Sequence, residues 1–510
     1  METTQEQWYV WSRLATILSL IFLSSQGTSQ DTEQLPKLTI DYLPDELLVE
    51  IFDFYRDRQD NEHRYQRWSI KLEWFKLIHV CKRWRSVMFA SSSRLDLCIV
   101  LIPERGFSKG HMKTVMSRRF APLPIYINYK MDYYHSATTK DMGHIRAAFK
   151  RPDRIRGITL IGSTTDLGQL FRATNCPALE SLELRDNRGT LKIPATFLQE
   201  TELKLRTLKL HDVSLPSISR LLSSASTLAF LSLVINAKLD PLPEMSLLLS
   251  HLQGLPCLLC LDLEIKKVNM DNLIDNQVPI TEPKDKFRLP KLTSFHYRGH
   301  SSYFNNLVAG FESSSPSPWE VDICLYDEIP LPIPQLAQFI DIGEHYHTVK
   351  LVLDRKYFLF TILGLSQSPH FKFRTTYFPT SIMQMNSAFF KKLSTIQELV
   401  VVANYELKDI ALWLRFLLQF PSIKALRLNS QNCFLVVCAL RALAAALGQD
   451  NGPSNLGVCP SLKEIELCTD SYLTAEERAT QLAAFEAFIS ARAQAGVRVN
   501  VFWSPSRKVC

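Results

Sequence analysis

The feature that most constrains this chain is a motif of the form P-x-L-x-x-L-x-L, or a close variant, that returns from Arg151 almost to the C-terminus. RPDRIRGITLIGS at Arg151 is its first copy, followed by CPALESLELRDN at Cys176, LKLRTLKLHDV at Leu203 and ASTLAFLSLVIN at Ala225. LPCLLCLDLEI at Leu255, LPKLTSFHYRG at Leu289, LSTIQELVVVAN at Leu393, FPSIKALRLNSQ at Phe420 and CPSLKEIELCTD at Cys459 continue it. The pairs Leu182/Leu184, Leu208/Leu210, Leu231/Leu233, Leu261/Leu263, Leu426/Leu428 and Ile465/Leu467 alternate with other residues, which is the period of a half-buried strand. Successive copies stand far enough apart for one strand plus one helix or turn, so the pattern predicts stacked units that bury each other's faces. Helices are expected over 196–200, 215–224, 245–252, 410–419 and 474–493, the last opened by Thr474 and Glu476-Glu477. Residues 317–326, 348–353 and 370–374 read as eroded copies, and 268–286 and 313–318 as loops that leave the array.

This periodicity resembles a leucine-rich-repeat array. The resemblance implies an α/β solenoid whose strands line a protein-binding face. The asparagines that would form a ladder are patchy, at Asn187, Asn236, Asn404 and Asn429, so an irregular horseshoe is expected.

Ahead of the repeats, IDYLPDELLVEIFDFY offers helix-start chemistry at Asp41 and Pro44-Asp45, with acids near the positive end of the helix dipole. Leu43, Leu47, Ile51 and Phe54 recur at helical spacing, with Leu48, Phe52 and Tyr55 as a second apolar row. Such a helix is gripped from more than one side. Residues 56–69 are charged and aperiodic, as in an exposed loop or a frayed helix end. Helical spacing resumes at Trp74, Ile78, Cys81, Trp84 and Met88, on one helix or two short ones.

LPDELLVEIF followed by VCKRWRSV resembles the F-box, whose first helix opens with Leu-Pro-x-Glu and whose last carries Val-Cys-x-x-Trp. The stretch between the two halves is longer than in the compact family pattern, an insertion that loop-closure entropy penalises only slowly. The resemblance implies a three-helix module that docks on a Skp-type adaptor through Leu43, Pro44, Leu47, Leu48 and Ile51. Val80, Cys81 and Trp84 would be shared between that interface and the module's own core. The physics points the same way: three short helices cannot hide so many large apolar groups internally, and the surplus calls for a partner.

With 510 residues, 46% of them hydrophobic and 21% charged, the chain has the composition of ordinary folded domains. Its formal charge of +7 is small for this length, and the densest basic run, Lys150 to Arg156, reads as solvated loop charge rather than a nucleic-acid site. The 11 cysteines are an odd number, many of them inside apolar stretches, as expected of free thiols in a reducing compartment. Cys257 and Cys260 have C-x-x-C spacing but no second pair at zinc spacing. The run Leu14 to Leu23 is too short to span a bilayer and has the length of a signal-peptide core, yet Glu2 and Glu6 are unusual in such a leader.

Hydrolase, Walker and dinucleotide-type glycine signatures are missing from the sequence. His345-Tyr346-His347 beside Glu344 reads as polar alternation ahead of a strand. Phe287, Phe295, Tyr297, Tyr303 and Phe304 cluster around one repeat, as core or as an aromatic patch for a protein substrate. The sequence therefore predicts a leader over 1–36, an F-box-like domain over 37–98, a connector over 99–150 and degenerate repeats over 151–510. The expected role is a non-catalytic, substrate-recruiting subunit of a cullin–RING ubiquitin ligase, cytoplasmic or nuclear, needing no cofactor, metal, nucleic acid or membrane. Its partners would be the Skp-type adaptor and an unidentified protein substrate. The alternatives are a secreted or surface repeat protein and an F-box-like scaffold outside ligases.

Overall fold

A computed structural model describes residues 43–62, 77–91 without 79, 99–101, 123–130, 139–162, 176–185, 204–212, 225–236, 245–266, 288–312, 320–326, 346–353, 358–364, 369–375, 393–403, 410–430, 433–448, 459–469, 474–494 and 498–505, with a few isolated positions besides. The chain forms two compact units, Met1–Asn128 and Tyr129–Cys510.

In the first unit, helix α1 (Asp45–Glu62) starts directly after Pro44, whose carbonyl accepts from the Leu48 amide at 3.1 Å. Asp45 and Glu46 fill the first turn, where the helix dipole favours negative charge. Residues 56–62 belong to this helix; the rest of the charged stretch, and Trp74, lie outside the described residues. Cys81 has extended backbone and its Sγ accepts from the Trp84 amide at 3.4 Å, so α2 (Lys82–Ala90) is a separate helix. Phe52 of α1 and Trp84 of α2 meet edge to face, with centroids 5.0 Å apart, in a core with Leu48, Val87 and Met88. Strand β1 (Ile99–Leu101) pairs in parallel with β2 (Ile125–Lys130).

In the second unit the repeated motif becomes a repeated turn. The amides of Leu179, Leu258, Leu292, Ile423 and Leu462 donate to the carbonyls three residues back, on Cys176, Leu255, Leu289, Phe420 and Cys459. Proline follows the accepting residue each time, at Pro177, Pro256, Pro290, Pro421 and Pro460, which presets the turn. Both ends of these turns are buried. Just ahead of several strands one carbonyl takes two amides of the next unit: Arg206 O from Ala229 and Phe230, Ala229 O from Leu259 and Cys260, Leu259 O from Thr293 and Ser294. The motif's proline, leucines and backbone thus lock neighbouring units into one register.

The strands so aligned are β3 (Ile155–Ile161), β4 (Ser181–Arg185), β5 (Thr207–His211), β6 (Phe230–Asn236), β7 (Cys260–Lys266), β8 (Ser294–Gly299) and β9 (Glu320–Leu325), each parallel to the one before. The predicted leucine pairs stack across them: Leu182, Leu208, Leu231, Leu261 and Phe295 in one buried row, Leu184, Leu210, Leu233, Leu263 and Tyr297 in the next. Helices α3 (Thr139–Phe149), α4 (Met245–Gln253) and α5 (Ser301–Ala309) accompany this half.

The middle does not continue the repeat in sequence order. Residues 348–353 and 370–374 fall in strands, β10 (Tyr346–Leu353) and β12 (Pro369–Thr375), but β11 (Phe358–Gly364) runs antiparallel between them. β12 pairs with β9 and β10 with β13 (Glu398–Ala403), so the order is β9-β12-β11-β10-β13. The stretches joining β10 to β11 and β11 to β12 are hairpin length, too short for the parallel crossover that an eroded repeat would need. Parallel stacking then resumes through β14 (Ala425–Ser430), β15 (Glu464–Thr469) and β16 (Asn500–Pro505), leaving an open, mostly parallel sheet in an α/β fold.

Helix α6 (Ile410–Leu417) lies within the expected span, and α7 (Cys433–Gly448) is an apolar helix that sequence periodicity did not pick out. α8 (Ala475–Gln494) opens on a reciprocal cap: the Thr474 amide donates to Glu477 Oε2 at 2.8 Å and the Glu477 amide to Thr474 Oγ1 at 3.2 Å. The helix expected over 196–200 lies outside the described residues, as does all of that over 215–224 except Leu222.

The end of β8 is tightly packed around Gly299. A Cβ on Gly299 would sit 2.6 Å from Tyr297 Oη and 3.2 Å from Ile265 Cβ. Tyr297 is fully buried and donates to His300 O at 2.8 Å. Gly299→Ala is expected to displace the ring, cost about 1–3 kcal/mol and lower the urea midpoint of the second unit. An unchanged midpoint would show that the ring can yield.

Candidate docking surfaces

The helical unit divides the residues that sequence reasoning assigned to a partner. Leu48 is fully buried, and Leu43 and Trp84 are at most 9% exposed, so these three belong to the unit's own core. Ile51 and Cys81 are half-buried. Pro44 is exposed, Leu47 is 39% exposed and Val80 is 58% exposed.

The outward residues lie near two helix starts that are tied together by Arg83, which apolar periodicity could not single out. Its Nη2 lies 2.7 Å from Asp45 Oδ1 and also donates to the Leu43 carbonyl, while Nε donates to the same carboxylate at 3.2 Å. The starts of α1 and α2 are thereby clamped together. Leu47, two residues past Asp45 on α1, and Val80, three residues before Arg83, are both exposed aliphatic groups close in sequence to these joined helix starts. Exposed apolar groups flanking a fixed polar centre are the make-up of a docking patch.

The second unit offers the face of its sheet opposite the leucine rows. Across β4 to β9 one row of that face reads Glu183, Lys209, Ser232, Asp262, His296 and Asp322, with Ser232 buried. The next reads Arg185, His211, Val234, Glu264, Arg298 and Cys324, with Val234 buried. Much of this charge is paired sideways. Ser232 donates to Asp262 at 2.9 Å, Arg298 Nη1 lies 3.9 Å from Glu264, and Lys209 sits 5.1 Å from the centre of the Phe230 ring. Burial, with Arg185 nearby, pushes the His211 imidazole below its ordinary value. At the strand ends Asp212, with φ of 54°, reaches past one strand to pair with Lys266. Bidirectional, laterally paired charge of this kind suits a protein surface better than a reaction centre.

Other candidates resolve into structure. Phe295, Tyr297 and Phe304 are buried and packed on one another, with Tyr297 and Phe304 centroids 5.0 Å apart, so this aromatic group is core and not a substrate patch; Phe287 lies outside the described residues. Burial drives the Tyr303 phenol well above its usual range. The basic run is only partly solvated: Arg154 is 5% exposed, while Arg151 pairs with Asp153 at 3.4 Å and Arg156 with Glu180 at 3.1 Å. Burial raises the Cys260 thiol, against the low value a reactive cysteine requires.

His345 and Glu344 lie outside the described residues, as does the apolar run Leu14 to Leu23. Among the described residues no group of three or more His, Cys, Asp or Glu could hold a metal, and no helix is long and apolar enough to cross a membrane. No protein-family model matches the chain, and no curated protein matches it.

Proposed function

We propose that this chain is an F-box-type adaptor: its helical unit docks on a Skp-type adaptor of a cullin–RING ubiquitin ligase, and its leucine-rich-repeat sheet holds a protein substrate. The observation that carries the reading is two exposed aliphatic side chains, Leu47 on α1 and Val80 just ahead of α2, on the two helices whose starts the Arg83–Asp45 pair joins. Pro44 joins them at the surface, with Ile51 and Cys81 at the rim. Leu43, Leu48 and Trp84 act from beneath, by fixing the two helices that present them.

In this role the chain performs no bond chemistry. It raises the local concentration of a substrate lysine near the ligase's catalytic partner, a gain that comes from tethering alone. The second unit supports the reading because its strands align outward side chains over a long continuous face, as a protein-binding array does.

The test is co-purification of the full chain with a Skp-type adaptor. Leu47→Asp combined with Val80→Asp places two charges in the patch without entering the core, and is expected to remove the adaptor while circular dichroism and melting stay unchanged. A folded wild-type chain that recovers no adaptor overturns the proposal.

A further inference from the structure

The outward face of the sheet changes character where the antiparallel strand interrupts the array. Across β12, β11, β10 and β13 one row reads Lys372, Thr361, Lys350 and Val400, and the next reads Arg374, Leu359, Val352 and Val402. Leu359, Val352, Val400 and Val402 are half-buried, on the side opposite the fully buried Phe360, Leu351 and Val401. The adjoining rows on β4 to β9 are mostly polar or charged; here they give way to contiguous aliphatic groups. Strands are about 4.8 Å apart and alternate residues about 6.8 Å along a strand, so Lys372 and Lys350, with the buried Thr361 between them, run beside Leu359, Val352 and Val402 across the strands.

The charge balance of this patch is one-sided. Lys372 has Asp322 at 3.3 Å, on the neighbouring β9. Glu398, the nearest acid on β13, is occupied: it accepts from Thr348 Oγ1 at 2.6 Å and lies 2.6 Å from Arg427. Lys350 stands between Thr361 and Val400 with no ion-pair partner among the described residues. A cation set beside half-buried aliphatics attracts an acidic group that brings apolar side chains with it.

Resting on the reading of this sheet as a substrate-binding face, we propose that residues Lys350, Val352, Leu359, Lys372 and Val402 form the substrate-docking patch. The substrate class is a segment that is acidic along one edge and apolar along the other, lying across the strands. Its carboxylates meet Lys350 and Lys372, and its aliphatic or aromatic side chains cover Leu359, Val352 and Val402. A basic or purely polar segment is disfavoured, because it would meet like charge or leave the aliphatic row uncovered.

The experiment pans a random-peptide display library on the full chain, then measures the recovered peptides by fluorescence polarisation against wild type, Lys350→Glu with Val402→Glu, and Arg441→Glu. Arg441 is an exposed residue of α7 and controls for a general change of charge. Peptides carrying Asp or Glu together with large apolar residues are expected to be enriched. Their binding is expected to weaken at least about tenfold in the double variant, the loss of one contact worth about 1.4 kcal/mol, and to be unchanged in Arg441→Glu. Enrichment without acidic bias, no enrichment, or equal binding to the double variant overturns the proposal. Adaptor co-purification on the same proteins reads the helical unit separately, so peptide binding without the adaptor would sink the ligase reading and leave this patch standing.

Discussion

Trp84→Ala is expected to unfold the helical unit and, with it, remove any partner that the unit holds. Trp84 is 9% exposed and its ring meets that of Phe52, itself 1% exposed, edge to face. Truncating a buried tryptophan costs about 3–5 kcal/mol, which is as much stability as a small helical core supplies. Hydrogen exchange over 45–62 and 82–90 would become fast, while exchange in the second unit's strands stays slow. Leu47→Asp with Val80→Asp is expected to give the opposite pattern: protected amides and no adaptor. The two variants therefore separate loss of the scaffold from loss of the surface. Retained protection in Trp84→Ala would show that Phe52 and Leu48 hold the helices without it.

The second large effect is expected at Trp413→Ala, in the second unit. Trp413 is fully buried on α6, with its ring 6.0 Å from Phe416, which in turn lies 5.1 Å from Phe420. Phe420 opens the turn that leads into β14, so the three rings connect the helix to the point where the next strand enters. Losing the indole is expected to cost about 3–5 kcal/mol and to expose β13 and β14 to exchange first, as neighbouring units lose their shared interface. Leu418→Ala, one residue past α6 and 45% exposed, is expected to change stability by no more than about 0.5 kcal/mol. Equal melting of both variants would remove the ring chain from the account of stability.

The parts of this fold that were legible in sequence are those where one side-chain choice has one consequence. A proline followed two residues later by leucine dictates a turn with a buried end, and alternating leucines dictate which strand face is covered. Lys372 and Arg374 alternate with Phe371 and Phe373 as a repeat strand would, so their segment was readable as a strand but not as one that pairs backwards. Strand pairing depends on connection length and on Phe358–Gly364, whose apolar character is compatible with helix or strand. α7 stayed hidden for a related reason: Cys433 to Leu447 is apolar on nearly every side, and a helix of that kind has little amphipathic period.

At the candidate patch, spacing placed Leu43, Leu47 and Ile51 on one row and Leu48 on another. It could not say that the first row would split, with Leu43 buried and Leu47 exposed, because that depends on where Trp84 and Arg83 arrive from the second helix. The exposure of Val80 was likewise unreadable. Val80 stands just ahead of Cys81, whose extended backbone caps the start of α2.

The backward order β9-β12-β11-β10-β13 also sets a timetable for synthesis. Strands β3 to β9 can zip together in the order in which they leave the ribosome, each finding its partner already made. β9 then waits with a bare edge, because β10 and β11 emerge next and neither is its neighbour. Only when Thr375 is out can β12 close that edge, and β10 by then offers the other side of the hairpin to β13. The nascent protein is thus completed in two instalments, joined by a three-stranded clasp whose last strand must be delivered first to the older half.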